Sequence, residues 1–201
     1  MSLKHLIFSS NTSIGKTLLS LSLSSHITKT KPLTYIKPLQ CGTPWDEDLI
    51  KTYSDTTNLN LNSITIKAYD PYPCSPHLAS ILTGERTKEY ITDDEINENI
   101  LKSITSGHNI IETAGGVLSP SIAFPSAPLK GYMSYKDTNL VYTTQANLYS
   151  RLNLPSILVG DPKLGGVSTT ISSLESLLSH GNRVEGIVFF GNDKRYVRIR
   201  E

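Results

Sequence analysis

The 201-residue chain is short of several features that would decide its function class. It has only two cysteines, Cys41 and Cys74. Two thiols are too few for a disulfide scaffold and too far apart in sequence for a CxxC metal or redox pair, and read as small half-buried residues of a reducing compartment. An excess of one charge is also missing, since 19 Lys and Arg face 18 Asp and Glu for a net charge of +1. That excludes a general electrostatic grip on nucleic acid, so a bound anion has to be held by a local site. No apolar run approaches the roughly 18 residues of a membrane span. The N-terminus has neither the blocks of a secretory signal nor the Arg-rich character of a transit peptide. A cytoplasmic setting is expected, or a mitochondrial one if the sequence belongs to a longer eukaryotic chain. Ten tyrosines and the single Trp45 have no basic groove beside them and make no base-stacking surface. His5, His26, His108 and His180 lack metal-ligand spacing.

Dense Leu, Ile and Val runs nevertheless argue for one domain with a sizeable core. Residues 3–8 read as a buried strand, 9–14 as a polar turn, and 15–28 as a helix with Leu18, Leu19, Leu21 and Leu23 as its apolar surface. Thr34-Tyr35-Ile36 and Ser63-Ile64-Thr65-Ile66 read as further strands. Ser75-Pro76-His77 carries the signature of a helix start, and that helix runs to about Leu82. A second helix is predicted from Thr92 to Ile104. Thr92 and Glu95 form a capping-box pattern there, and Ile96, Ile100 and Ile104 share one face. Asn109-Ile110-Ile111 is a strand that stops at Glu112. Residues 118–139, rich in Pro and Ser, read as a long loop or insertion. Strand 155–159, helix 168–180 and strand 184–190 complete the chain. Alternating strands and helices predict an α/β fold, a mostly parallel sheet with helices on both faces.

The strongest chemical signal is Ser9-Ser10-Asn11-Thr12-Ser13-Ile14-Gly15-Lys16-Thr17. A Gly-Lys-Thr tripeptide alone is common in surface turns. Here it lies between a strand and a helix, the context of a phosphate loop. Successive backbone N–H groups and the helix N-terminus can cradle a polyphosphate. Lys16 would neutralise β- and γ-phosphate oxygens, and the Thr17 hydroxyl would ligate Mg²⁺. The usual leading glycine is replaced by Ser9, which fits only if its φ need not be positive.

Several segments together resemble the dethiobiotin synthetase family. The loop is similar to that family's variant, which is one residue longer than the usual spacing. Lys37-Pro38 with Gly42, the run Cys74-Ser75-Pro76-His77, and Glu112-Thr113-Ala114-Gly115-Gly116 follow in the family's order. Thr113 and the run Leu158 to Ser168 look most like the form fused to an aminotransferase in plants and fungi. The resemblance covers nearly the whole chain and implies a P-loop NTPase-like fold.

It also implies an activity, in which ATP drives the joining of CO2 to 7,8-diaminopelargonate through a carbamic–phosphoric anhydride. Lys16 and Lys37 are the implied catalytic cations. Ser10, Asn11, Thr12, Ser13, Ile14, Gly15, Lys16, Thr17 and Asn192 would bind ATP. Thr12, Lys37, Cys41, Gly115, Gly116 and Ser168 would bind the substrate, Ser168 across a homodimer interface. Thr17, Asp46 and Glu112 would hold Mg²⁺, with Asp48 as the alternative to Asp46. His77 is expected to be structural, and an aminotransferase is an expected fused or separate partner. Family members continue past the last strand to close over the base. The end at Glu201 therefore reads as a fragment or as a minimal form.

Two other readings stay open. One is a related phosphate-loop ATPase of partitioning or of another amide-forming step, although no further lysine stands between Ser9 and Gly15. The other is a nucleotide-binding module without turnover, against which the retention of Lys16, Thr17, Lys37 and Glu112 counts.

Overall fold

Alternation along each strand puts neighbouring side chains on opposite faces of a sheet. The computed structural model follows that rule and describes residues 2–83, 91–125 and 140–191. The elements in order are β1 (Lys4–Ser9), α1 (Lys16–Ile27), β2 (Leu33–Cys41), α2 (Asp46–Thr57), β3 (Leu61–Tyr69), α3 (Pro76–Leu82), α4 (Asp93–Ser103), β4 (His108–Glu112), β5 (Pro120–Pro125), β6 (Leu140–Thr144), α5 (Gln145–Ser150), β7 (Pro155–Gly160), α6 (Gly166–Ser179) and β8 (Arg183–Phe189). Six strands form a parallel sheet in the order β3-β2-β4-β1-β7-β8. Among the described residues no helix is long and apolar enough to cross a membrane.

Two cores lie on the two faces. Ile7, Tyr35, Ile110 and Val159 pack with Leu19 of α1 and Ile50 of α2. Leu6, Phe8, Ile36, Ile111 and Leu158 pack with α4, α5 and α6 through Ile96, Ile100, Leu148 and Leu177. Adjacent strands β1 and β4, registered Ile7 to Glu112, thus send their following segments to opposite faces. That arrangement opens a crevice at the carboxyl edge, where α/β sheets carry their ligands.

Most of the predicted elements are present, some with different limits. The capping box of α4 is formed, with Glu95 N–H donating to Thr92 Oγ1 at 3.1 Å and Thr92 N–H donating to Glu95 Oε2 at 2.7 Å. The strand expected at Thr34–Ile36 runs on to Cys41, so Lys37 lies inside β2, paired in register with Thr65, rather than just after it. Helix α1 does not bury Leu18, which is 51 % exposed; Lys16, Leu19, Ser20 and Ser24 face inward instead. Lys16 and Ser20 on this face have partners at the crevice, while Ser24 bonds back to Ser20 O. The stretch 118–139 is not a plain loop, because β5 pairs with β6 as an antiparallel two-stranded sheet; residues 126–139 lie outside the described part. Asp46, Glu47 and Asp48 open a 12-residue helix, α2.

Candidate functional site

The loop after β1 turns into α1 through two left-handed residues, Ser13 at φ 57° and Gly15 at φ 113°. Glycine is needed at 15 twice over. Its φ disfavours a side chain, and a Cβ would stand 2.7 Å from the ring of Phe190. Ser9 is not among the positive-φ residues, so a side chain is tolerated where the loop pattern has glycine. That side chain is fully buried and its hydroxyl lies 2.7 Å from Asn11 O and 3.1 Å from Gly115 O. Lys16 Nζ donates to Ser9 Oγ and to Gly115 O, both at 2.9 Å. Burial first, then the neighbouring Lys37 charge, lowers the Lys16 pKa to about 8 against the opposing pull of Glu112 and Asp46.

A second cation comes from β2. Lys37 Nζ lies 2.6 Å from Asp46 Oδ2 and 3.0 Å from Glu112 Oε1. Burial works against its charge, but the two carboxylates outweigh it and its pKa is raised. Thr17 Oγ1, at the start of α1, reaches Glu112 Oε1 at 2.8 Å and Asp46 Oδ1 at 3.2 Å. The other Glu112 oxygen accepts from Ser20 Oγ at 2.7 Å. Tyr35 lies buried in this region, and burial, then Glu112 and Asp46, keep its phenol protonated.

Thr17, Asp46 and Glu112 therefore offer hard oxygens from three elements within hydrogen-bond reach. Such a set suits Mg²⁺, which takes one or two carboxylates and completes its shell with phosphate and water. Asp48, by contrast, is exposed. Among the described residues no three His, Cys, Asp or Glu side chains are placed to hold a metal ion together, so phosphate and water would have to supply the remaining ligands.

These groups line one cleft of about 570 Å³, a size that suits a small molecule. Thr12, Ser13, Gly15, Lys16 and Thr17 form its phosphate-loop wall, and Leu39, Cys41, Pro44, Pro73 and Cys74 a less polar one. Gly42 lets the walls close, since a Cβ there would meet Pro73 Cα at 2.6 Å. Gln40 ties Gly42 to the start of α2, donating to Gly42 O at 3.0 Å and accepting from Asp46 N–H at 3.3 Å.

Several expected site residues stand apart. Ile14 is buried in the core, so only its backbone is available to the loop. Asn11 Oδ1 accepts from Thr12 N–H at 2.8 Å, and the Ser10 hydroxyl is buried without a partner. The N–H of Gly116, expected to face substrate, donates instead to Ser119 Oγ at 2.9 Å, while Gly115 does line the cleft. Burial pushes the Cys41 thiol up to about 12, with Cys74 adding to it, which favours the thiol over the thiolate near neutral pH. Ser168 is exposed on α6 and does not line this cleft. His77, expected to be structural, has Nδ1 2.8 Å from Ser75 Oγ. Asn192 lies outside the described residues. Ser9, Ser20 and Gln40 were not foreseen as site residues. Ser20 was findable, because it follows Thr17 by one helical turn on the same face.

A family model described as an AAA domain matches residues 4–125. A bifunctional dethiobiotin synthetase/adenosylmethionine-8-amino-7-oxononanoate aminotransferase of Emericella nidulans is 32% identical over 94% of this chain and 22% of its own length. A mitochondrial bifunctional dethiobiotin synthetase/7,8-diamino-pelargonic acid aminotransferase of Arabidopsis thaliana is 27% identical over 92% of this chain and 28% of its own. The chain thus spans about a quarter of these relatives. The ATP-dependent dethiobiotin synthetase BioD of Lawsonia intracellularis is 30% identical, over 94% of this chain and 76% of its own. Among solved structures, the tyrosine kinase domain of BceF superposes with a TM-score of 0.50 at 15% identity, over 92% of this chain and 67% of that one, a likeness of fold alone.

Proposed function

This chain belongs to the dethiobiotin synthetase family, and we propose that its cleft carries out that family's reaction, the ATP-dependent carboxylation and ring closure of 7,8-diaminopelargonate. The observation that carries the proposal is the convergence of two buried cations, Lys16 and Lys37, with the Thr17–Asp46–Glu112 oxygens in one cleft.

One amine of the diamine adds to CO2 and loses a proton, giving a carbamate. A carbamate oxygen attacks the γ-phosphorus, the bond to the bridging oxygen breaks, and ADP leaves. The second amine then attacks the carbonyl carbon of the mixed anhydride, and phosphate departs as the ureido ring closes. The protein has to hold the partners in line and offset the growing negative charge. Lys37 would hold the carbamate and then the transferring phosphoryl group. Lys16 would bind the β- and γ-phosphate oxygens beside the backbone of residues 10–15. Thr12, Cys41 and Gly115, which line the cleft, would contact the diamine. Thr17, Asp46 and Glu112 would hold Mg²⁺, which offsets phosphate charge when bound.

A homodimer completes the proposal, with Ser168 reaching the second copy's substrate. Supporting it, the segment leading into α6 and its outer face expose Leu164, Val167, Ile171 and Leu178, three to seven positions apart, an apolar stripe suited to a partner helix. An aminotransferase, fused or separate, would supply the diamine.

The test is ADP release by the purified chain with Mg-ATP and bicarbonate, with and without 7,8-diaminopelargonate. Release that depends on the diamine and vanishes in Lys16→Ala is the expected result. Release indifferent to the diamine would sink the synthetase reading and favour another phosphate-loop ATPase.

A further inference from the structure

We infer that Ser9 is a positioning residue whose hydroxyl holds the Lys16 ammonium on the phosphate loop and aims it at the polyphosphate. The inference rests on the nucleotide reading above and identifies what steers its cation.

The two cations of the cleft are held in different ways. Lys37 sits against two carboxylates, so its charge is offset before any ligand arrives. Lys16 has no carboxylate within ion-pair distance among the described residues. Its contacts are two neutral acceptors, Ser9 Oγ and Gly115 O, each at 2.9 Å. Neutral acceptors fix an ammonium without neutralising it. An ammonium carries three donors, and these contacts engage two, leaving the third for an anion in the cleft that Lys16 lines.

Ser9 is built for this task. It is the last residue of β1, it is fully buried, and a buried hydroxyl is costly unless bonded. Its oxygen meets Asn11 O, Gly115 O and Lys16 Nζ together, joining the end of β1, the loop, and the turn after β4. A glycine at this position would leave the ammonium with Gly115 O as its one remaining neutral acceptor among those described. Serine at the glycine position therefore adds a contact to the ammonium that glycine cannot make. Its backbone does not need the left-handed region, so its presence carries no strain.

The experiment is a double-mutant cycle on the full 201-residue chain. Titration calorimetry would follow ATP and inorganic tripolyphosphate binding to wild type, Ser9→Ala, Ser9→Gly, Lys16→Ala and Ser9→Ala/Lys16→Ala, with thermal unfolding of each. Ser9→Gly covers the case in which alanine disturbs folding, because glycine fits any backbone. Losing one hydrogen bond to a charged group should weaken both ligands by about 10- to 100-fold in Ser9→Ala and Ser9→Gly. In the Lys16→Ala background the same change should alter binding by no more than about twofold, because the group it positions is gone. Equal losses in both backgrounds would make Ser9 a structural residue and overturn the inference. Unchanged or tighter binding in the single variants would overturn it too. A wild type that binds neither probe would bring down the nucleotide reading itself, a result distinct from a wild type that binds and a variant that does not differ.

Discussion

The Lys37 ammonium and the Glu112 carboxylate meet 3.0 Å apart, both withdrawn from solvent, one from β2 and the other from the end of neighbouring β4. Asp46 joins them from the start of α2. Removing the cation leaves two carboxylates facing one another. Lys37→Ala should lower turnover about 10²- to 10³-fold. It should also destabilise the fold by about 3–5 kcal/mol, the usual result of orphaning a buried charge. Steady-state kinetics and urea unfolding check the two effects, and near-normal turnover would remove Lys37 from the reaction.

Glu112→Gln and Asp46→Asn should each raise the Mg²⁺ concentration needed for half-maximal ADP release. Asp48→Asn should leave it where it is, since Asp48 is exposed and, of the two aspartates, Asp46 is the one that reaches Thr17 and Lys37. A Mg²⁺ titration of the three variants decides the ligand set. An equal shift in Asp48→Asn would overturn the choice of Asp46.

Asp93, at the start of α4, is almost fully buried beside Ser121 and Thr143, and burial raises its pKa from 3.8 to about 6. The folded state therefore holds this proton more tightly than the unfolded one. Below about pH 4 both states are protonated and there is no penalty. Stability falls as pH rises through the window from about 4 to about 6, and the loss is complete above it. Asp93→Asn should remove that loss, raising stability by roughly 2–3 kcal/mol at pH 7.5 and by nothing at pH 3.5. Chemical unfolding at the two pH values is the check, and equal effects at both would contradict the origin in charge burial.

Ile171→Asp places a charge in the middle of the exposed stripe on α6. If that stripe joins two copies, the variant should be monomeric by light scattering while keeping its fold by circular dichroism. A wild type that is itself monomeric at the same concentration would exclude the homodimer.

Local pattern carried much of this protein into view before any coordinates. The β1–loop–α1 unit, the α4 capping box, and the three parallel strands ending near Ser9, Glu112 and Gly160 depend on period, turn chemistry and caps. Those are properties of residues close together in sequence. Lys16 and Thr17 were legible from that loop pattern, whereas Lys37, Asp46 and Glu112 were singled out by the resemblance to the dethiobiotin synthetase family.

What tertiary structure decided was which of these groups meet and what their side chains do. Asp46 and Asp48 look alike in a run of acids, and only the placement of α2 over β2 turns Asp46 toward Lys37 and leaves Asp48 in water. Ser9 reads as a missing glycine, and only the fold brings Gly115, from the turn after β4, to its hydroxyl beside Asn11 and Lys16. Gly116 reads as a backbone donor to substrate until Ser119 is seen to occupy its N–H. Ser20 looks like a poor residue for a helix interior until Glu112 arrives from 92 positions away. Backbone elements follow from neighbours in sequence, but a buried polar contact depends on long-range packing that no local pattern encodes.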